Sequence, residues 1–490
     1  MNRLFLLITA CCLLLIGTGC EKLLEAKTDS NITDADYFQN ESDFEPYVVG
    51  IYMYLRGSAR TGPQNITGIA NNITYGTERS EELISALNSR FTQAWTHNIT
   101  PTTGAFDYTN WYKAIGNCNL LLARIGNFNF TNENAKKKVM AEAYTLRAYI
   151  YFSLIRIIGD TPLMLEAITD EHVPQLPRSK APDVMKQIIA DLDQAISLFP
   201  EKTISSKYRF SYVAAQALKA DAKLWSAKVL GGGAGDFNDV IAAVIEVEKT
   251  AGLALRTEFK EVTTSRANSE IIIAAYFNRD ESFNNYAINA LPYEAGIAGA
   301  TNKDSLPYCI TTANGQGAYQ ISAKSKALFA VNDKRIPFTW ITERQGTTPK
   351  ISWITKLPGN KYADDRVPDN DVILYRLAEV YLMAAEAYAG IDNTTKAIEY
   401  LNKTRTRAGI GNYTGGADRP SVEKEILDER GRELFFENKR WYDLVRFHKG
   451  GTINVYTYVP NLVGKTTPLY WPLAANVLAN NGELRQTDGY

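Results

Sequence analysis

The nine residues "RFTQAWTHN" gather Arg90, Trp95, His97 and Asn98 into one short stretch. These are the groups a carbohydrate calls for. The apolar side of a sugar ring stacks on an aromatic face, and its hydroxyls pair with guanidinium, imidazole and amide groups. A later stretch, "NNYAINALPYEAGIAGATNKDSLPYCITTANGQGAYQ", adds Asn285, Tyr286, Tyr293, Tyr308 and Tyr319. A peptide ligand would use similar groups. Trp95 has a second reading, because Trp is both a common binding anchor and a common core residue. Taken singly, each tyrosine of the loop is more often packing than contact.

Groups for bond-making chemistry are sparse. The chain has 3 histidines, His97, His172 and His448, with no HExxH and no nucleophile, base and orienter set in one motif. "GKT" at 464–466 has Val459 where a phosphate loop needs glycine, and "GGGAG" at 231–235 follows a helical pattern where a dinucleotide site needs a strand. Both read as turns. A glycosidase pair is defined by separation in space, so the abundant carboxylates nominate none. No catalytic residue, cofactor or metal ligand is predicted, and a surface glycoside hydrolase is the minor alternative to a binding protein.

The densest charge lies at residues 429–447, "ERGRELFFENKRWYDLVRF", with nine charged side chains among five aromatics. Read as one helix, it aligns Leu427, Leu434, Trp441, Leu444 and Val445 as a packing stripe. Glu429 with Arg432, Glu437 with Arg440, and Asp443 with Arg446 stand three apart, where exposed opposite charges contribute about 0.2–0.5 kcal/mol each. Buried, they would have to be paired, and would then fix how the helix docks.

The whole chain, 490 residues at 45% hydrophobic and 22% charged, can build a sizeable core. Lys and Arg total 53 against 54 Asp and Glu, so a net charge of -1 offers no field for nucleic acid or an anionic membrane. Of 5 cysteines, only Cys118 and Cys309 lie beyond residue 20. They make either one bridge or two buried thiols, and no CxxC suggests zinc or redox work.

The amino terminus, "MNRLFLLITACCLLLIGTGC", has Arg3, an apolar run from Leu4 to Ile16 and then small residues, the layout of a secretory signal. The run is short of the ~20 apolar residues of a membrane-spanning helix. "GTGC" ending on Cys20 resembles a bacterial lipobox, with Gly17 where Leu is usual. "ITAC" before Cys11 fits the letters better but leaves only about seven apolar residues. Cys20 is the predicted lipidation site, and a multiply acylated cysteine gives the more-than-one-chain anchor that stable membrane residence needs.

The elements that must position the candidate groups are mainly helices. Apolar residues recur at helical spacing over Lys136–Ile158, Asp183–Leu198, Tyr212–Val229, Phe237–Thr250, Asp371–Tyr388 and Thr394–Ala408. Trp111, Ile115 and Leu122 share a helical spacing that favours core. Pair lengths of ~35–40 residues match a tetratricopeptide-like array. Between the blocks, "SEIIIAAYF" (269–277) reads as a buried strand, and long loops occupy 265–367. The fold class is all-α, with tetratricopeptide-like helix pairs, long loop insertions and a few short strands.

"ILYRLAEVYLMAAEAY" (373–388), "EILDERGRELFFENKRWYDLVRF" (425–447) and the terminal "PLYWPLAANVLANNGELRQTDGY" closely resemble segments of the SusD/RagB-like outer-membrane lipoproteins of Bacteroidota. "AEAYTLRAYIYFSLIRIIGDTPL" (141–163) and "DFNDVIAAVIEVEKTAGLAL" (236–255) resemble the family's amino-terminal helices. The resemblance implies a lipoprotein signal at 1–19, a lipid-anchored tether at 20–35, an amino-terminal SusD-like helical region at 36–260 and a carboxyl-terminal RagB/SusD-like region at 261–490, packed as one unit. It further implies outer-membrane attachment facing the exterior, capture of oligosaccharide or peptide without cleavage, and delivery to a SusC-like TonB-dependent transporter. In the family, ligand contacts come from the amino-terminal loop and the middle insertion. The residues predicted here are Arg90, Trp95, His97, Asn98, Asn285, Tyr286, Tyr293 and Tyr308.

Overall fold

The computed structural model describes residues 37–57, 68–70, 73–87, 92–169, 173–281 and 285–490. The signal, Cys20, the tether and Arg90 lie outside them.

Helices carry the frame: α1 (Phe44–Arg56), α2 (Thr109–Gly126), α3 (Glu133–Ile158), α4 (Ala181–Leu198), α5 (Tyr212–Val229), α6 (Gly233–Glu248), α7 (Leu377–Gly390), α8 (Thr394–Ala408), α9 (Arg419–Glu433) and α10 (Arg440–Lys449). Their ends are set locally. Asn132 and Ser211 accept from the third residue of α3 and α5, at 3.1 and 3.2 Å, satisfying orphan amides. Gly159, at φ 73°, closes α3. Helices adjacent in sequence pack on one another: α1 on α2, α3 on α4, α5 on α6 and α7 on α8, with α6 against α7 and α9 against both α7 and α8. Ala214, Ala217, Ala378 and Ala385 are wholly buried in these contacts, where small side chains permit close approach. Trp111 and Ile115 are core, as their spacing predicts. Among the described residues, no helix is long and apolar enough to cross a membrane. Cys118 and Cys309 are buried free thiols, both pushed up to about 12 by burial.

The strands are short: β1 (Leu83–Ser85), β2 (Ile271–Ala275), β3 (Tyr319–Ile321), β4 (Trp340–Gln345), β5 (Thr348–Ile354), β6 (Asn360–Lys361), β7 (Arg366–Val367) and β8 (Val372–Arg376). They form two-stranded antiparallel ladders, β1 with β3, β2 with β8, β4 with β5 and β6 with β7. The helix expected from Asp371 therefore begins only at Leu377. Val372–Arg376 is buried throughout and pairs with the predicted buried strand, so β pairing outweighs helical periodicity there.

The charged stretch 429–447 also departs from the single-helix reading. α9 ends at Glu433, Phe436 and Asn438 take left-handed φ of 58° and 60°, and α10 starts at Arg440. Eight of the stretch's nine charged side chains are buried, all but Lys439. Glu429 meets Arg432 at 2.8 Å and Asp443 meets Arg446 at 2.9 Å, as the spacing predicts. Glu437 instead turns to Arg376 at 2.8 Å and Lys356 at 2.5 Å, and Arg440 pairs with Glu81 at 2.6 Å. Arg376 also takes Glu270 at 2.7 Å and Glu433 at 2.6 Å. Ions taken out of water this way are costly to leave single, so the network specifies how α9 and α10 dock on β8 and on the segment before β1.

Candidate ligand-binding face

Trp95 sits on a single helical turn, Gln93–Thr96. Thr92 caps it, its hydroxyl accepting the Trp95 amide at 3.4 Å, and His97 ends it with a left-handed φ of 54°. The indole is half-buried, and its Nε1 donates to the Leu83 carbonyl at 2.9 Å, so the ring is pinned to β1.

Underneath lies a buried polar support. Glu78 Oε2 accepts from the Thr92 hydroxyl and Oε1 from the Tyr319 hydroxyl, both at 2.5 Å, tying the turn to β3. Burial raises the Glu78 carboxyl, and the hydrogen bonds from Thr92 and Tyr319 oppose it. The Arg79 guanidinium lies between Trp441 and Trp471, 4.3 and 4.7 Å from their ring centroids. It donates to the carbonyls of Leu469 at 2.8 Å and Pro468 at 2.7 Å, and its Nε donates to His97 Nδ1 at 3.2 Å. Burial, with Arg79 and Lys465 nearby, holds His97 down at about 3, so the imidazole is neutral.

The carboxyl-terminal segment clasps the turn from the other side. Asn461 Nδ2 donates to the Trp95 carbonyl at 3.3 Å, and the Thr467 hydroxyl to the His97 carbonyl at 2.8 Å. Lys465 Nζ reaches the Thr96 carbonyl and, at 3.2 Å, Asn98 Oδ1.

The middle insertion joins through β1–β3. Leu83 pairs with Ile321 and Ser85 with Tyr319, and the Leu87 amide donates to the Gly317 carbonyl at 2.9 Å. Gly296 fits between Leu87 and the Tyr293 ring so closely that a methyl there would lie 2.4 Å from Leu87 Cδ1 and 3.0 Å from Tyr293 Cζ. Tyr293 is half-buried and bridges to Cys309. Tyr308 is half-buried too, with the Lys303 ammonium 4.9 Å from its ring centroid. Trp95 and Tyr293 thus flank the two ends of the run from Leu83 to Leu87, up to about 13 Å of extended chain. Apolar side chains come to the surface on that run, Ile84 at 38% exposed and Leu87 at 36%.

Of the predicted site residues, Trp95, Asn98, Tyr293 and Tyr308 reach the surface around β1–β3. His97 is buried, 2% exposed, and shapes the turn from inside rather than presenting a group to solvent. Arg90 lies outside the described residues. Asn285 and Tyr286 begin a short helix, Asn285–Ile288, and their side chains lie outside the described ones. Asn461, Lys465, Thr467 and Arg79 belong to the site's support and carried no local signal, because what defines them is a contact across more than 360 residues for the first three. Among the described residues, no group of three or more His, Cys, Asp or Glu is placed to hold a metal ion.

The chain thus combines a scaffold of paired helices with an aromatic, loop-built face. Residues 258–490 match the SusD family, and residues 23–224 match the family described as starch-binding associating with outer membrane. The chain belongs to the SusD family. It is 26% identical over 476 residues to SusD-like protein P25 of Formosa agariphila, covering 88% of this chain and 87% of that one. A SusD superfamily protein from Bacteroides fragilis superposes with a TM-score of 0.79 at 26% identity, covering 93% of this chain and 100% of the other. A laminarin-binding SusD-like protein shares the fold, with a TM-score of 0.72 at 21% identity over 92% of this chain and 100% of that one.

Proposed function

We propose that this protein is a glycan receptor of the outer cell surface. It would be anchored through Cys20 after removal of residues 1–19, tethered by residues 20–35, and folded over 36–260 and 261–490 as one unit. It captures oligosaccharide without cleaving it and passes it to a SusC-like TonB-dependent transporter. The observation that carries this reading is the ladder β1–β3, which unites the Trp95 turn and the Tyr293 loop in one face. Trp95, Tyr293 and Tyr308 supply ring faces, Asn98 supplies an amide, and Arg90, Asn285 and Tyr286 complete the predicted set. The starch-binding description of the matched family and the laminarin-binding neighbour support a glucan-like ligand. Capture of a peptide is the second reading, since the same groups suit it. Calorimetric titration against panels of oligosaccharides and peptides tests the proposal. Saturable sugar binding with the oligosaccharide recovered intact is the expected result; steady release of smaller sugars, or binding of peptides alone, would overturn it.

A further inference from the structure

Away from the β1–β3 face, a cleft of about 780 Å³ opens between the end of α3, the start of α4 and the carboxyl-terminal residues 482–488. That volume is within the ~300–1,000 Å³ range of ligand sites. Its walls are held in place. Arg178 donates to the carbonyls of Asp160 at 2.7 Å, Ile158 at 2.5 Å and Arg485 at 3.2 Å, and to the Thr487 hydroxyl at 3.1 Å. Asp160 accepts from Lys180 Nζ and the Ala181 amide, both at 2.9 Å, which also satisfies the first amide of α4. Gln486 clamps both the amide and the carbonyl of Leu473, at 2.6 and 2.8 Å.

With those groups committed to the walls, others are left for a ligand. Glu483, Arg485 and Asp488 are exposed at the rim, and none forms an ion pair among the described residues. Tyr470 lines the cleft with its ring against Gly159, whose Cβ would sit 3.5 Å from Tyr470 Cδ2, and its hydroxyl has no partner among the described residues. The charges in the lining balance, Asp160, Glu483 and Asp488 against Arg178, Lys180 and Arg485. A polyanion would meet three carboxylates, and an apolar ligand would strand them all unsolvated. A neutral, many-hydroxyl ligand can both donate to the carboxylates and accept from the guanidinium.

We propose that this cleft is a second binding site for neutral oligosaccharide, separate from the Trp95 face. The inference rests on the glycan reading given above. Two sites on one chain would let a long polysaccharide be held at two points, raising avidity by up to about 10²–10⁴ when the geometry allows both to engage.

The test is calorimetric titration of the purified protein with a panel of neutral oligosaccharides led by maltoheptaose and laminarihexaose. Four forms are compared: unaltered, Trp95→Ala, the rim triple Glu483→Ala/Arg485→Ala/Asp488→Ala, and the combination. The rim side chains are exposed, and circular-dichroism melting verifies that each form folds. The unaltered protein should bind two equivalents, each of the first two variants should lose one of them by about tenfold or more in affinity, and the combination should lose both. If Trp95→Ala alone abolishes all binding and the rim triple changes nothing, the second site is refuted while the glycan reading stands. Loss of binding only in the rim triple retains the cleft and removes Trp95 from the site. Binding of peptides but of no sugar, or no binding by any form, overturns both.

Discussion

Arg440 Nη2 lies 2.6 Å from Glu81 Oε1, and both side chains are only 1% exposed. This ion pair ties α10 to the segment that leads into β1, across 359 residues of sequence. Replacing Arg440 with alanine would leave Glu81 charged in the core, a loss of about 3–5 kcal/mol. Urea denaturation should show a large fall in midpoint. A variant as stable as the parent would mean that water reaches Glu81 and that the pair is not what secures the segment.

If Trp95 is the stacking anchor, Trp95→Ala should weaken oligosaccharide binding by about 1–3 kcal/mol. Its melting temperature should change little by comparison, since the ring is half-buried on a surface turn. Calorimetry on a correctly folded variant decides the matter, and unchanged affinity would remove Trp95 from the site.

The support from the carboxyl-terminal segment can be tested without touching the face. Thr467→Val keeps the side-chain shape but deletes the 2.8 Å hydrogen bond to the His97 carbonyl. Releasing that tie should cost about 1 kcal/mol in affinity as the turn loosens. Equal affinities for variant and parent would show that the other clasps suffice.

Two buried glutamates should respond to pH with opposite sign. Burial works against the Glu386 carboxylate, but Arg446 and Lys228 beside it prevail and hold it at about 2. An unfolded glutamate titrates near ~4.3, so the stability from Glu386 is present above that pH and is lost as pH falls toward 2. Burial, the largest influence on Glu82, raises that carboxyl well above its ordinary range, with Glu81 adding to it and Arg440 opposing. Its contribution is full below ~4.3 and declines as pH rises toward the folded value. Thermal melts across pH should therefore show the deficit of Glu386→Gln shrinking in acid. Relative to the parent, Glu82→Gln should gain stability as pH rises. Parallel profiles for either variant would contradict the assignment.

Gly76→Ala should destabilise by about 1–3 kcal/mol or more through overpacking. A methyl at Gly76 would fall 2.1 Å from the Asn438 carbonyl oxygen, backbone that cannot swing away. The Gly76 amide also donates to Asn438 Oδ1 at 3.0 Å, so the contact joins the segment before β1 to the break between α9 and α10. A melting temperature equal to the parent's would show that the break can shift.

The helices were legible because burial repeats at their own period. Tyr212–Val229 and Thr394–Ala408 coincide with α5 and α8, and the buried strand in "SEIIIAAYF" is β2. Val372–Arg376 was not legible, since a short apolar run abutting a helix looks the same in either conformation until its partner strand is known. The charged stretch misled in a different way. Spacing along one helix predicts neighbours on that helix, whereas Glu437 and Arg440 find partners on β8 and before β1, and left-handed Phe436 and Asn438 lie in the break between α9 and α10. At the candidate face, residue type pointed to Trp95, Asn98 and Tyr293. It could not separate His97 from them, because a histidine facing solvent and one locked against Arg79 are written with the same letter.

The clasp on the Trp95 turn also has a bearing on biosynthesis. Asn461, Lys465 and Thr467 are separated from the groups they hold by 366 to 370 residues, so the turn cannot be fastened until residues 461–467 have been made. A truncated or still-emerging polypeptide could form the early helices and yet have no assembled face. Contacts of such sequence separation are also slow to find. Competence to bind would thus wait for synthesis of residues 461–467, and a copy lacking them would not compete for ligand.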